Sequence, residues 1–193
     1  MATHAKNFRL IEALGEEHIG LEARARLGDH LDTRVWLRLL SCSTQIERQI
    51  RQLLRVRFAT SLPRFDYLAQ LERHPEGLRM SVLSRHLMVT GGNVTGLTDQ
   101  LVKEGMVLRT EDPEDRRSWR VLLTAQGRHS FTQMAAEHEQ WLTEMFRDLP
   151  LASKEALYEH LGLLRVHLAE RQATVEAAAR KAARPASRRS SNE

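Results

Sequence analysis

The sequence has little of several features that would assign it to a well-known class of protein. It contains one cysteine, Cys42, in 193 residues, which excludes an internal disulfide and suits a reducing compartment. No apolar run approaches the roughly 20 residues that a membrane-spanning helix needs, and the N-terminus is too charged for the core of a signal peptide. We therefore expect a cytoplasmic protein that makes no contact with a membrane.

Patterns typical of catalysis or metal binding are also missing. We find no paired nucleophile and base, no phosphate-binding loop and no carboxylate pair in a recognisable context. The nine histidines are scattered along the chain. His160 and His167 share one predicted helix face and form at most a weak pair, because no cysteine or carboxylate stands nearby at ligand spacing. We expect neither an enzyme nor a protein that holds a metal or another cofactor.

The net charge of +4 is concentrated at the C-terminus. Residues 173–193 contain five basic and two acidic residues, so this tail supplies +3 of the +4. The remaining body is nearly neutral, and a site for a polyanion in the body must come from local arrangement rather than from total charge. The tail is rich in alanine, serine and arginine and is predicted to be disordered.

Apolar residues at helical spacing predict helices on both sides of a short central segment. From Asp29, one stripe of a long helix carries residues spaced three and four apart: Leu31, Val35, Leu39, Cys42, Ile46, Ile50 and Leu53. A shorter helix is predicted over Arg64 to Arg73. Thr124 is the predicted cap of a long helix that ends near Arg147, and a last helix is predicted over residues 153 to about 171.

The central segment predicts a winged helix. A short helix that begins at Ser81 is followed by a glycine-containing turn and by a second helix from Asn93 to Gly105, the pattern of a helix-turn-helix. The stretches "MVLRT" and "WRVLLT" then predict two strands that flank a charged turn. The predicted fold class is mainly α with a small β-wing. The predicted divisions are an N-terminal arm or short helix (1–28), a dimerisation helix (29–60), a winged helix-turn-helix domain (61–124), C-terminal dimerisation helices (125–172) and the basic tail (173–193).

The second helix of the pair has a small, polar outer face. Val94, Leu97 and Leu101 share the side predicted to pack on the domain, and the opposite side could approach a major groove closely. Two readings stay open for this segment alone: a recognition helix, or a core helix that tolerates glycine and threonine. The candidate DNA-binding residues in and before it are Ser81, Thr90, Gly91, Gly92, Asn93, Thr95 and Gly96.

The charged turn, next to a predicted helix-turn-helix, favours a DNA-binding wing over a hairpin whose charges are merely solvated. Arg116 and Arg117 stand side by side at its tip, where arginines can enter a narrow minor groove. Asp115 is close enough in sequence to orient one of them. We include these three residues among the candidate DNA-binding residues.

The residues "VTGGNVTGLTDQLVKEGMVLRTEDPEDRRSWRVLLTAQG" resemble the winged-helix core of the MarR family (multiple-antibiotic-resistance-type regulators), and the resemblance extends over roughly residues 30–168. It implies a homodimer built from the first and last helices that binds a pseudo-palindromic duplex DNA operator, usually released by a ligand. By position it implies that Asp115 braces the wing, that Arg116 and Arg117 reach the minor groove, and that the second helix reads the major groove.

The segments "VWLRLL" and "LPRFDYLAQL" resemble the subgroup that responds to aromatic acids or their CoA thioesters, which implies a role in the catabolism of aromatic compounds. Aromatic walls and an arginine suit such an effector, and the candidate lining residues are Trp36, Arg38, Phe65 and Trp141. The two tryptophans equally suit a core or a dimer interface.

Two alternatives to a ligand-released repressor remain. A redox-sensing regulator would use Cys42, but its apolar neighbours on the helix predict a buried and inert thiol. A winged-helix protein-interaction module would bind no DNA, and it would form no complex whose affinity falls with salt.

Overall fold

The computed structural model describes Gly15 and residues 30–87, 91–113, 115 and 118–182. Its helices are α1, Leu31–Phe58; α2, Leu62–Glu72; α3, Met80–His86; α4, Gly91–Lys103; α5, Ala125–Met145; and α6, Leu151–Ala182. Its strands are β1, Leu78–Arg79; β2, Val107–Glu111; and β3, Trp119–Leu123. Two compact units divide between Met145 and Phe146. Apart from Gly15, the predicted N-terminal arm lies outside the described residues.

The apolar core of the first unit lies under α2 and the helix-turn-helix. The C-terminal half of α1 reaches this core through Ile50 and Leu54, whereas its N-terminal half leaves Leu31 and Trp36 exposed. The predicted stripe on α1 is therefore buried in this chain only where the helix passes α2 and α5. The buried apolar residues contributed by α2 are Phe65, Tyr67, Leu68 and Leu71.

Two strands were predicted for the wing, and the sheet has a third. The strands are antiparallel in the order β1-β3-β2, with Leu78 paired to Val121 and Val107 paired to Leu123. A two-residue strand is too short to show the alternation by which strands are recognised in a sequence. Gly77 precedes it with φ +77°, and a Cβ there would lie 2.7 Å from Leu122 Cγ, so glycine is required both by conformation and by space.

The junction between β3 and α5 shows why the stretch "LTAQG" has a threonine and a glycine at positions 124 and 127. Thr124 Oγ1 donates to the carbonyl of Gly105 at 2.6 Å and accepts from the N–H of Gly127 at 2.9 Å, which confirms Thr124 as the helix cap. A Cβ on Gly127 would lie 1.9 Å from the carbonyl oxygen of Met106. The backbone of α5 thus approaches the start of β2 too closely for any side chain at that position.

Several helix boundaries differ from the predictions, and α2 covers Leu62–Glu72 rather than Arg64 to Arg73. Helix α4 begins at Gly91 rather than Asn93, so the paired glycines form its first turn instead of the preceding loop. Helix α5 ends at Met145, two residues before the predicted end. Helix α6 continues to Ala182 instead of ending near residue 171, because "ATVEAAARKA" is dominated by strong helix formers. The predicted disordered tail is therefore helical over its first ten residues, 173–182, while residues 183–193 lie outside the described part.

Helix α6 presents many large apolar side chains to solvent in this chain. Leu157, Leu161, Leu168 and Tyr158 are all exposed. None of the helices in the described part of the chain is both long and apolar enough to cross a membrane.

Candidate nucleic-acid interface

The two faces of α4 differ as the sequence predicted. Val94 and Leu101 are 1% and 0% exposed and join the core, and Leu97 packs against them. Thr95, Gly96 and the later polar positions of the helix are exposed. The outward face of α4 therefore carries only small side chains at Thr95 and Gly96, directly after its first turn.

Gly96 is not needed by the fold. A Cβ built on this residue would meet no atom within 4 Å, and an interior glycine costs a helix about 1 kcal/mol relative to alanine. An intramolecular reason for glycine is thus missing among the described residues. An external surface that approaches the backbone of α4 closely would supply one.

A buried hydrogen bond fixes the middle of α4 to α2. Thr98 Oγ1 donates to the carbonyl of Val94 at 2.7 Å, so its single proton is used. The hydroxyl of Tyr67, 2.5 Å from Thr98 Oγ1, must then be the donor in that contact. Burial raises the pKa of Tyr67 to about 12, which keeps the phenol protonated and able to donate at physiological pH.

Arg109 on β2 pairs with the one acidic side chain on the exposed face of α4. Its Nη2 lies 2.6 Å from Oδ1 of Asp99. An unpaired carboxylate on this face would repel phosphate, and the pair reduces that repulsion while tying α4 to the wing.

Asp112 is the residue that organises the base of the wing. Its side chain is 0% exposed, and its Oδ2 accepts from Nε of Arg79 at 2.5 Å and from Nε of Arg120 at 2.8 Å. Arg79 also donates through Nη2 to Oδ1 at 3.1 Å. One buried carboxylate therefore joins β1, the end of β2 and β3, and it fixes where the turn that follows begins.

Asp115 lies in the turn that Asp112 supports. Its side-chain Oδ2 accepts a 2.7 Å hydrogen bond from Ser118 Oγ, and its backbone N–H donates to the carbonyl of Asp112 at 3.2 Å. The N–H of Asp112 closes the same turn by donating to the carbonyl of Ser118 at 3.0 Å. Asp115 is exposed and fixed in place at the tip of the wing.

The predicted DNA-binding residues fall into three groups. Ser81, Thr95, Gly96 and Asp115 are exposed. Gly91, Gly92 and Asn93 form the first turn of α4. Thr90, Arg116 and Arg117 lie outside the described residues.

The four predicted effector residues do not come together within one chain. Phe65 and Trp141 belong to one aromatic cluster: His138 lies 4.8 Å from the ring of Phe65 and 6.4 Å from that of Trp141. Trp36 and Arg38 are exposed on the N-terminal half of α1. Phe58, at the C-terminal end of α1, is the α1 residue that contacts Trp141. Because α1 is unbroken, Trp36 lies about 33 Å along the helix from Phe58 and is therefore far from Trp141.

Cys42 is exposed, and the expectation that it is buried was wrong. It precedes the part of α1 that packs on the core, which begins at Ile46 and Ile50. Within the described ranges no cluster of three or more metal-ligating side chains is present.

Sequence reasoning missed the polar contacts that hold the interface together. Asp112 lies two positions beyond the predicted strand "MVLRT", and Arg120 alternates with buried Val121 on the other strand. The register pairs Arg120 with Thr110, so Asp112 and Arg120 are diagonal neighbours, a contact that the hairpin could have predicted. Arg79 could not have been found, because β1 was not predicted. The Tyr67–Thr98 bond joins residues 31 positions apart and has no local sequence signal.

Together, a helix-turn-helix followed by a braced β-wing defines a winged-helix regulator. A family model described as the MarR family matches residues 60–119. A crystal structure of a MarR family transcriptional regulator from Silicibacter pomeroyi is 33% identical over 72% of this chain and 94% of that one, with a TM-score of 0.59. The chain belongs to the MarR family of transcriptional regulators, and it is not an enzyme.

Curated proteins of similar sequence are also named as transcriptional regulators. The HTH-type transcriptional regulator YfiV of Bacillus subtilis is 35% identical over 54% of this chain. This match spans 64% of YfiV, slightly less than two thirds of its length. The transcriptional activatory protein BadR of Rhodopseudomonas palustris is 28% identical over 63% of this chain and 70% of its own.

Proposed function

We propose that the chain acts as a homodimer that binds a pseudo-palindromic duplex DNA operator and represses transcription until a small aromatic acid or its CoA thioester releases it. One observation carries the DNA-binding part most directly. The small, exposed face of α4 contains Gly96, a glycine that the fold does not need, and it lies beside a wing whose base is fixed by buried Asp112.

In this proposal α4 enters the major groove and the wing reaches the minor groove. Thr95 and Gly96 lie against the groove, the first turn of α4 faces phosphate, where the helix dipole favours negative charge, and Arg116 and Arg117 enter the minor groove. Asp115 orients the tip of the wing.

Dimerisation is supported by the apolar surface that one chain leaves uncovered. Leu31 and Trp36 on α1 are 64% and 60% exposed, and Leu161 and Leu168 on α6 are exposed as well. Exposed apolar surface of this extent is typical of an interface. A two-fold dimer would present two α4 helices to half-sites about one helical turn of DNA apart.

Binding to DNA from upstream of the gene tests the proposal. The full chain is titrated into a labelled duplex of that region at 50 and 200 mM salt, with a scrambled duplex of equal composition as the control. We expect a sequence-preferring complex whose affinity falls by about three orders of magnitude or more over this range, since neutralised phosphates release counterions. The absence of any salt-sensitive, sequence-preferring complex would favour a protein-interaction module instead.

The sign of regulation is a separate part of the proposal. BadR is named as an activatory protein, so membership of the family does not decide it. Transcription from the same upstream region in a purified system should fall when the protein is added, and a rise would make the protein an activator.

A further inference from the structure

Two histidines from different elements meet in the helix-turn-helix region. His74 lies in the loop between α2 and β1, and His86 is the last residue of α3. The centres of their imidazole rings are 5.7 Å apart, and the ring planes are tilted by 44°. The pair has no local signal in the sequence, because its members belong to two elements that only the fold brings together.

A hydrogen bond fixes which ring nitrogen of His74 is available. Its Nδ1 lies 2.7 Å from the carbonyl oxygen of Gln70. A carbonyl oxygen can only accept, so Nδ1 carries the proton and donates it, and Nε2 of the neutral imidazole then has a free lone pair. A metal-bound histidine almost always donates its other ring N–H to a carbonyl or carboxylate in this way. The imidazole of His74 is therefore held in the tautomer that a metal ligand needs.

The surroundings hold one ring in place and let the other turn. The backbone N–H of His74 donates to the carbonyl of Leu71 at 3.0 Å, and its carbonyl accepts from the N–H of Gly77 at 2.9 Å. His74 is half-buried, whereas His86 is exposed. Among the described residues, neither Nε2 of His74 nor the ring of His86 makes a hydrogen bond. An exposed imidazole can therefore rotate one of its nitrogens toward Nε2 of His74.

The separation of the two rings suits a metal ion that both imidazoles bind. With Zn–N distances of about 2.0–2.1 Å, two imidazoles on one ion have ring centres about 5–6 Å apart, and the observed 5.7 Å lies in this range. Imidazole nitrogen is a preferred ligand of Zn²⁺, Ni²⁺ and Cu²⁺, whereas Mg²⁺ prefers oxygen. Within the described ranges no third histidine, cysteine or carboxylate completes the group, so water would occupy the other coordination positions.

We propose that His74 and His86 together bind one divalent transition-metal ion of the zinc type, and that this ion ties α3 to the loop at the end of α2. Helix α3 has seven residues, of which only Leu83 is buried. A metal link would therefore add a second strong attachment to a short helix. The site goes beyond the proposed function, because it needs neither DNA nor a second chain.

Calorimetric titration of the untagged full chain with zinc chloride tests the site at about pH 7.5, where imidazole is normally neutral. All proteins carry Cys42→Ser, so that the exposed thiol does not compete for zinc. His74→Asn keeps an N–H for the carbonyl of Gln70 and lacks Nε2, and His86→Gln removes the other ligand. His129→Gln, at an exposed position on α5, is the matched control. Magnesium chloride replaces zinc chloride in a parallel titration and should not bind at the pair.

We expect the parent protein and His129→Gln to bind Zn²⁺ with affinities within twofold of each other. Loss of a contact that supports a ligand already weakens metal binding by about 10–100-fold, so each loss of a ligand should weaken it at least about tenfold. Because both imidazoles bind the same ion, the double variant His74→Asn/His86→Gln should be no weaker than either single variant. Losses that add in the double variant would indicate two independent sites. That result, or parent affinity in either single variant, would overturn the proposal.

Thermal unfolding is a second measurement of the same site. An ion that binds the folded chain raises the unfolding midpoint, and zinc at about 100 times its dissociation constant should raise that of the parent protein by about 5 °C or more. His74→Asn should show a much smaller rise. If this variant does not fold, as judged by circular dichroism, His86→Gln at its exposed position provides the same comparison. A parent midpoint that zinc leaves unchanged, or an equal rise in the folded variants, would contradict the site.

Discussion

Nε of Arg79 donates a 2.5 Å hydrogen bond to Oδ2 of buried Asp112, and this contact joins the short strand β1 to the start of the wing. Arg120 approaches the same oxygen from β3 at 2.8 Å. The base of the wing is therefore joined to β1 through one carboxylate that has no contact with solvent.

Replacing that carboxylate should destabilise the wing. We expect Asp112→Asn to lower the free energy of unfolding by about 1–3 kcal/mol, because two arginines lose a charged acceptor that is buried. Operator affinity should fall as well, since the turn is no longer fixed. Urea unfolding and DNA titration measure the two effects. Glu47→Gln removes an exposed pair with Arg51 and should change stability by less than about 0.5 kcal/mol. Equal effects of the two substitutions would contradict this account.

Gly96→Ala distinguishes a glycine kept for the fold from one kept for DNA. Its Cβ would meet no atom in the chain, so we expect stability to rise by about 1 kcal/mol. Operator affinity should nevertheless fall, about tenfold or more, if the backbone lies against the groove. Gly162→Ala on α6, where a Cβ likewise meets nothing, should stabilise the protein similarly without changing DNA affinity. Unchanged DNA binding by Gly96→Ala would remove the argument from close approach.

Acid should destabilise the aromatic cluster through His138. Burial lowers the pKa of His138 below its ordinary value of 6.5, so the unfolded chain takes up the proton more readily than the folded one. The contribution of neutral His138 to the free energy of unfolding is fully present above pH 6.5. It falls as the pH drops toward the lower pKa of the folded state, by at most about 1.4 kcal/mol per pH unit. Denaturant unfolding between pH 7.5 and 5 measures this slope.

His138→Phe keeps a ring between Phe65 and Trp141 and removes the titration. Its slope over the same pH range should be smaller than that of the wild type, whereas His129→Gln, at an exposed position of the same helix, should keep the wild-type slope. An equal slope in all three proteins would assign the pH dependence to other groups.

Dimerisation can be tested on α6. Leu161 belongs to the stripe that includes Leu157 and Leu168, and Leu163 points about 130° away from it. We expect Leu161→Asp to convert the dimer to a monomer in sedimentation velocity, because a charge would be buried at the interface. Leu163 is 70% exposed, more than Leu161 at 39%, and Leu163→Asp should leave the dimer intact. A wild-type monomer, or a Leu161→Asp dimer, would contradict the proposed interface.

The sequence predicted the helices and the hairpin because their signals are local. The spacing of Ile46, Ile50 and Leu53 marks a helix face, and Thr124 marks a helix start. The contacts that organise the candidate interface are not local: Arg79 meets Asp112 across 33 positions and Arg64 meets Glu104 across 40. Each depends on how the elements pack, and a polar residue in a sequence does not identify its partner.

The contribution of the wing tip to DNA binding is the most direct test of the central claim. The observed binding constant is measured across a salt series for the wild type and for Arg116→Ala/Arg117→Ala, with Arg51→Ala as a control remote from the wing. Each phosphate-neutralising arginine contributes about 0.9 to the slope of log K against log salt, so a dimer that loses four should show a slope smaller by up to about 3.6. We predict this decrease together with weaker binding and unchanged circular dichroism. A double variant with the wild-type affinity and slope would contradict the account.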